Sequence, residues 1–123
     1  MDQIEFTIIL RKPKYPVIVV SADRLYSAFN TRQLALSCMS SIPIENKSYI
    51  EVIDSTGSEF WYSAEKYVLS PGFSFQKWTK RRIVEAFNNS TNAKDTLQEY
   101  SMKSLSSKRL EKIILDICEI LRS

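Results

Sequence analysis

Apolar and mostly polar side chains alternate between residues 4 and 11, near the start of the chain. An alternation with a period of two predicts a β-strand that has one face on a core. The prolines at positions 13 and 16 interrupt the pattern, because a proline removes a backbone hydrogen-bond donor. The β-branched run Val17–Val20 follows and suits an inner strand that is apolar on both faces. The short connection predicts that these two strands pair antiparallel to each other.

A helix is expected after the second strand, with Ser21 as its N-cap and Asp23 in its first turn. The apolar residues that mark the buried side of this helix are Leu25, Ala28 and Phe29. Asn30 either breaks the helix or caps a second helical segment, which Pro43 ends. The apolar positions of that second segment are Leu34, Leu36, Cys38 and Met39. The stretch between residues 21 and 43 is therefore predicted to be helical.

The clearest β-hairpin in the sequence joins Tyr49–Asp54 to Ser58–Tyr62. Its turn runs from Asp54 to Gly57, since an aspartate can bond its own backbone and a glycine accepts a positive φ. The aromatic residues of the second segment give it strong β character. Tyr67–Leu69 predict one more short strand.

Helical periodicity dominates the rest of the chain. A helix is predicted over Phe75–Phe87, with its apolar residues on one side and a stop at Asn88–Ser90. The polar stretch Thr91–Met102 predicts a short helix that carries Leu97 and Tyr100. The last helix, capped by Ser106 or Ser107, has the best-defined apolar face. That face consists of Leu110, Ile113, Ile114, Ile117, Cys118 and Leu121.

Together these elements predict an α+β fold. The chain of 123 residues is long enough for one domain, residues 1–123, with a sizeable core. We expect a small, mostly antiparallel sheet of about four to five strands, packed with helices and ending in the C-terminal amphipathic helix.

The composition excludes much of the chemistry that a small protein can perform. The chain has no histidine, two glycines and two cysteines. Histidine-dependent relays, glycine-rich phosphate loops and closed four-ligand zinc sites are therefore not expected. We predict a non-catalytic protein with no catalytic residue, no cofactor and no metal site. An acid-x-lysine triplet at Glu45–Lys47, with Asp23 as a further ligand, is the remote alternative of a histidine-independent carboxylate-metal nuclease.

No apolar run approaches the roughly 20 residues that a membrane span requires. The N-terminus carries acidic residues where a signal peptide would carry lysine or arginine. We therefore expect a cytoplasmic protein that makes no membrane contact. In that compartment Cys38 and Cys118 should be reduced and buried.

The net charge of +3 is unevenly distributed. Residues 1–62 hold six Lys and Arg against seven Asp and Glu, and residues 63–123 hold eleven against seven, so the two halves carry −1 and +4. The basic residues predicted on the exposed face of the helix over 75–87 are Lys77, Lys80, Arg81 and Arg82. Such a ridge could bind the phosphates of a nucleic acid, or it could simply be a solvated helix face.

The aromatic hairpin offers a different surface. Alternation places Trp61 and Tyr62 on opposite faces of the sheet, so an aromatic residue is exposed if helices cover one face only. Interfaces are enriched in such residues, and Tyr49, Trp61 and Tyr62 are the predicted protein-binding residues. The alternative is that helices cover both faces.

These observations favour binding over catalysis. The predicted function is that of a protein-binding module, for example an accessory protein of the immunity or antitoxin type that neutralises its partner. The expected partner is another protein, and self-association into a homodimer is a further option. The alternatives are a nucleic-acid-binding protein that uses the basic helix and a structural subunit of a larger assembly.

Overall fold

The structure is a computed structural model that describes residues 6–21, 24–41, 50–63, 67–72, 77–97 and 99–122. In these ranges six strands form one mixed sheet, and helices pack on both of its faces. The predicted α+β class is confirmed. The sheet is larger than expected, because the segment Arg24–Ala28, predicted to be helical, forms a further strand at one edge.

The strands, in chain order, are β1 (Thr7–Ile8), β2 (Val17–Ser21), β3 (Arg24–Ala28), β4 (Ile50–Ile53), β5 (Glu59–Ser63) and β6 (Val68–Pro71). Their order across the sheet is β1-β6-β5-β4-β2-β3. All neighbours are antiparallel except β1 and β6, which are parallel. The predicted pairing of the first two strands is wrong, because β2 is already paired with β3 on one side and β4 on the other.

The helices are α1 (Thr31–Leu36), α2 (Lys80–Asn88), α3 (Thr91–Thr96), α4 (Ser104–Ser107) and α5 (Leu110–Arg122). A π-helical turn, Ser37–Ser41, continues α1. The first three helices begin at a side-chain N-cap that accepts a backbone N–H three residues further on. These caps are Asn30, Thr79 and Ser90. Of the two alternatives for Asn30, a break or the cap of a second helical segment, the structure shows the cap.

The helix predicted to follow Ser21 is wrong, since this segment forms β3. Ser21 lies opposite Arg24 in a tight hairpin with β2, and Ala22 and Asp23 lie outside the described residues. Leu25 and Ala28, predicted on one helix face, pack into cores on opposite faces of the sheet. A short apolar pattern fits a helix and a strand equally well, and pairing with β2 decides between them.

The central hairpin is confirmed as the pair β4 and β5. In its turn, Asp54 Oδ1 accepts hydrogen bonds from the backbone N–H groups of Thr56 and Ser58, and Gly57 has a φ of +84°. The short strand predicted around Tyr67–Leu69 is confirmed as β6. Tyr49 lies outside the described residues.

The helix predicted over residues 75–87 begins five residues later, at Lys80, because Thr79 is its N-cap. Lys77 instead pairs with Ser58 in an antiparallel β-bridge. Phe75 lies outside the described residues. The stop at Asn88–Ser90 is confirmed, although Asn89 has a right-handed φ of −90°. The predicted cap of the last helix is wrong, because residues 106 and 107 end α4.

Two apolar cores lie on opposite faces of the sheet. One packs Ile18, Leu25 and Ile53 against α2, α3 and α5. The other packs β2, β4, β5 and β6 against α1 and the π-helical turn. Cys38 and Cys118 are buried in different cores as free thiols, as predicted. None of the described helices combines the length and apolar character that crossing a membrane requires.

Candidate functional site

The aromatic residues of the hairpin divide between the two faces of the sheet. Tyr62 is 4% exposed in the core against α1, where it stacks on Phe6 with the ring centroids 5.6 Å apart. Burial, followed by the charges of Cys38 and Tyr67, raises the pKa of Tyr62 to about 12. Trp61 points to the other face and is half-buried. Tyr62 therefore lies in the core, and helices cover both faces of the sheet.

A carboxylate-tryptophan cluster joins β5 to the start of α2. Trp61 Nε1 donates to Glu59 Oε1 at 2.5 Å, and Trp78 Nε1 donates to Glu59 Oε2 at 2.7 Å. The Arg82 guanidinium lies 3.8 Å from the centroid of the Trp78 ring. Burial by itself would raise the pKa of Glu59, but the two indole hydrogen bonds, a hydrogen bond with Glu51 and the positive charge of Arg82 lower it. Both oxygens of Glu59 thus accept an indole hydrogen bond, and the bond from Trp78 links β5 to the start of α2.

Glu51 completes this cluster from the neighbouring strand. Burial, and then the negative charge of Glu59, raise the pKa of Glu51. Its Oε2 atom is buried without a hydrogen-bond partner. Sequence reasoning missed this pair, although the hairpin register places both glutamates on one face of the sheet.

The four predicted basic residues do not form one helical ridge. Lys77 precedes α2, so it is not one turn below Arg81 on a common helix. The other cations contact groups within the protein. These contacts are Lys80 Nζ to the Leu105 carbonyl at 3.4 Å, Arg81 to Glu85 at 3.7 Å, and Arg82 to the Trp78 ring at 3.8 Å.

The outer edge of β3 is partly closed by two amide side chains. Leu25 N–H donates to Asn92 Oδ1 at 2.7 Å, and Asn92 Nδ2 donates back to the Leu25 carbonyl at 3.0 Å. At the other end of the strand, Phe29 N–H donates to Gln33 Oε1 at 2.7 Å. Side chains from α3 and α1 therefore take the places that another strand would occupy.

Ser27 lies between these two closed positions. Main-chain groups of an antiparallel strand alternate in direction, so the N–H and C=O of Ser27 point outward like those of Leu25. Among the described residues, no side chain hydrogen-bonds to them as Asn92 does to Leu25. The edge thus presents one donor-acceptor pair to a ligand.

Ser27 lines a surface groove of about 480 Å³ that lies between β3, α1 and the end of α5. Leu36 is 52% exposed in the groove, and Phe29 and Leu121 form half-buried apolar wall. Arg24 and Arg122 supply cations, and the Arg122 guanidinium lies 4.7 Å from the centroid of the Phe29 ring. No described residue lining the groove is Asp or Glu. The groove combines main-chain hydrogen bonding, apolar surface and positive charge, which suits a polypeptide ligand.

Sequence reasoning missed the groove because it assigned residues 22–29 to a helix. The alternation from Leu25 to Ala28, directly after a β-branched strand, was the signal for a second strand. Gln33 is four residues from Phe29, but Asn92, the other amide that closes the edge, is 67 residues from Leu25. No local pattern brings Asn92 to the edge of β3.

The described residues hold no group of three or more Cys, Asp and Glu side chains arranged to bind a metal ion. The triplet Glu45–Lys47 and the proposed further ligand Asp23 lie outside the described ranges. The carboxylate-metal alternative therefore stays a prediction that the described residues do not test.

Comparison with known proteins gives no relative from which a function can be transferred. The chain matches no protein-family model, and it has no significant match to a curated protein or to a solved structure. The function is therefore argued from the geometry of the site.

Proposed function

We propose that this protein is a non-catalytic protein-binding module and that it binds its partner in the groove beside β3. The observation that carries the proposal is the outward-facing main-chain pair of Ser27 within that groove. In strand-type recognition, main-chain hydrogen bonds give affinity and neighbouring side-chain contacts give specificity. Both kinds of contact are available at this edge.

The two amide side chains favour a short main-chain contact over a long added strand. Asn92 and Gln33 close the edge on either side of Ser27. A long open edge strand is an aggregation hazard. With most of the edge closed, a ligand can form about two main-chain hydrogen bonds, with the N–H and C=O of Ser27. The rest of the binding energy must come from side chains that fill the groove.

An accessory role of the immunity or antitoxin type is the finer form of this proposal. It is supported by the size of the chain and by a composition without histidine. Trp61 is not part of the groove, since β5 lies in the interior of the sheet. A contribution of Trp61 to binding is a separate prediction.

The test is a pull-down from the native cell with wild-type protein and the variant Ser27→Pro. Proline removes the outward N–H and is tolerated on edge strands when that N–H faces away from the neighbour. We expect the specific partner to be lost, with an affinity decrease of about tenfold or more. Circular dichroism and thermal unfolding establish that the variant is folded.

Two further variants make the result decisive. Leu36→Arg places a bulky charge in the groove from an already exposed position and leaves β3 unchanged. Arg81→Ala is the matched control on α2, outside the groove. Capture of the same proteins by wild type, Ser27→Pro and Leu36→Arg would contradict the groove as the binding surface.

The same samples separate the alternative functions. Nucleic-acid binding through α2 requires affinity that falls steeply with salt and a weaker slope for Arg81→Ala. A structural subunit or homodimer requires a mass that increases with concentration in light scattering. Either result, with an unaffected Ser27→Pro variant, would replace the proposal.

A further inference from the structure

We infer that the groove beside β3 recognises an extended acidic peptide segment, whose carboxylates bind Arg24 and Arg122. This inference rests on the proposed function and adds the chemistry of the partner. It is carried by the juxtaposition of two arginines, an apolar wall and the Ser27 main chain in one groove.

The two arginines lie on different walls of the groove, Arg24 on β3 and Arg122 at the end of α5. The Arg122 guanidinium lies over the Phe29 ring, 4.7 Å from its centroid, and a guanidinium on an aromatic face can still donate hydrogen bonds from its edge. Arginine binds a carboxylate through two parallel N–H···O bonds. The described residues that line the groove include no acid, so no lining carboxylate repels an acidic ligand that binds these two arginines.

Arg24 already binds a carboxylate in the free protein. Its Nη2 lies 3.1 Å from Asp95 Oδ2, and the two side chains are 43% and 62% exposed. An ion pair exposed to this degree contributes little to stability, so a ligand carboxylate can replace Asp95 at low cost. The contact with Asp95 thus shows a geometry in which Arg24 binds a carboxylate.

The apolar wall restricts the ligand further. Leu36, Phe29 and Leu121 present apolar surface beside the two cations. An extended peptide places successive side chains on opposite sides, so apolar and acidic positions of one segment can reach different walls. A second copy of this chain is the less favoured occupant, because it would bring another Arg24 and Arg122 to the same interface.

The test is selection from a phage-displayed library of random peptides about 12 residues long, a length that exceeds one strand. Wild type, Ser27→Pro and the double variant Arg24→Gln/Arg122→Gln are used as baits. We expect the peptides selected by wild type to contain Asp and Glu about twofold or more above the unselected library. Ser27→Pro should select no peptides, and the double variant should lose the acidic preference.

The outcomes separate this inference from the proposed function. Peptides that depend on Ser27 but show no acidic enrichment would contradict the inference and leave the peptide-binding groove in place. A wild-type selection indistinguishable from that of Ser27→Pro would contradict both.

The affinity of one selected acidic peptide, made synthetically, provides an independent measurement. Arg122→Gln should weaken it about tenfold, equivalent to ~1.4 kcal/mol, and Arg122→Lys should weaken it less. Asp95→Asn should strengthen binding a few-fold, since it removes the carboxylate that competes for Arg24. Glu85→Gln, an exposed acid on α2, is the matched control. Unchanged affinity in both Arg122→Gln and Asp95→Asn would overturn the assignment of the two arginines.

Discussion

A single carboxylate, Glu59, bonds both tryptophans of this chain. Each indole N–H occupies one oxygen, and the neighbouring Glu51 shares the partly buried space. Two carboxylates this close do not ionise independently. The ionised form is therefore destabilised at Glu51 and not at Glu59, and the Oε2 atom of Glu51 has no hydrogen-bond partner.

We predict that Glu51→Gln increases stability at and above neutral pH by about 1 kcal/mol, because it replaces a half-buried charge, which Glu59 repels, with a neutral isostere. Burial and then the charge of Glu59 raise the pKa of Glu51 in the folded state above its value in the unfolded state. Protonated Glu51 therefore contributes fully to the free energy of unfolding below the unfolded-state pKa, and this contribution is lost as the pH rises through the folded-state pKa. The gain should therefore vanish in acid. Urea unfolding followed by tryptophan fluorescence across pH measures it.

Glu111→Gln, at an exposed position of α5, is the control for removing a negative charge. A stability gain for Glu51→Gln that is equal at acidic and neutral pH would contradict the role of ionisation.

At the scale of elements, capping explains where several helices begin and end. Thr79 accepts from the Arg82 N–H and sets the start of α2, although the apolar pattern suggested an earlier start. At the end of α3, Leu97 is the C-cap residue, with φ at 56° and ψ at 33°. This left-handed conformation favours glycine or asparagine over leucine. Since Leu97 is 93% exposed, its side chain makes little packing contact that would offset the cost of this backbone conformation.

We predict that Leu97→Gly stabilises the protein by about 1 kcal/mol, because it relieves the steric cost of a Cβ in the left-handed region. Thermal and urea unfolding measure the change. Leu97→Ala keeps the Cβ and should leave stability almost unchanged. A destabilised glycine variant would show that the side chain of Leu97 packs in a way that its exposure does not indicate.

At the scale of the whole molecule, one sheet separates two layers of unequal size. On one face, α5 alone buries four residues, Ile113, Ile114, Ile117 and Cys118. On the other, the six-residue α1 buries only Leu34, and Cys38 follows in the π-helical turn. A layer held by fewer apolar contacts opens at lower free energy. The two cysteines report on the two layers separately.

We predict that Cys38 reacts with a thiol reagent about tenfold or more faster than Cys118 under native conditions. Cys118 is fully buried, its Sγ contacts the Val17 carbonyl at 3.4 Å, and burial raises its pKa to about 12. Mass spectrometry of Cys38→Ala and Cys118→Ala measures each site alone. Labelling in urea corrects for the reactivity of each thiol. Equal native rates would show that both layers open only in one global unfolding step.

The sequence by itself determined the elements whose signals are local. Val17–Val20 has β-branched, apolar residues on both faces, and it is an inner strand. The turn from Asp54 to Gly57 carries its own hydrogen-bond acceptor and a residue suited to positive φ. The apolar face of α5 repeats with the helical period. Such features depend on neighbours within a few residues, so the pattern along the chain is sufficient.

Only the tertiary structure decided the features that depend on distant partners. The pairing of β2 with β4 places β3 at one edge of the sheet, and the pairing of β1 with β6 places β1 at the opposite edge. The groove needs α1, β3 and α5 at one place, and its open Ser27 needs amides from positions 33 and 92. Apart from the hydrogen bond between Phe29 and Gln33, these contacts join segments far apart in the chain, and they form only when the sheet is assembled. Local propensity does not specify how the elements assemble, so the sequence pattern could not predict the groove beside β3.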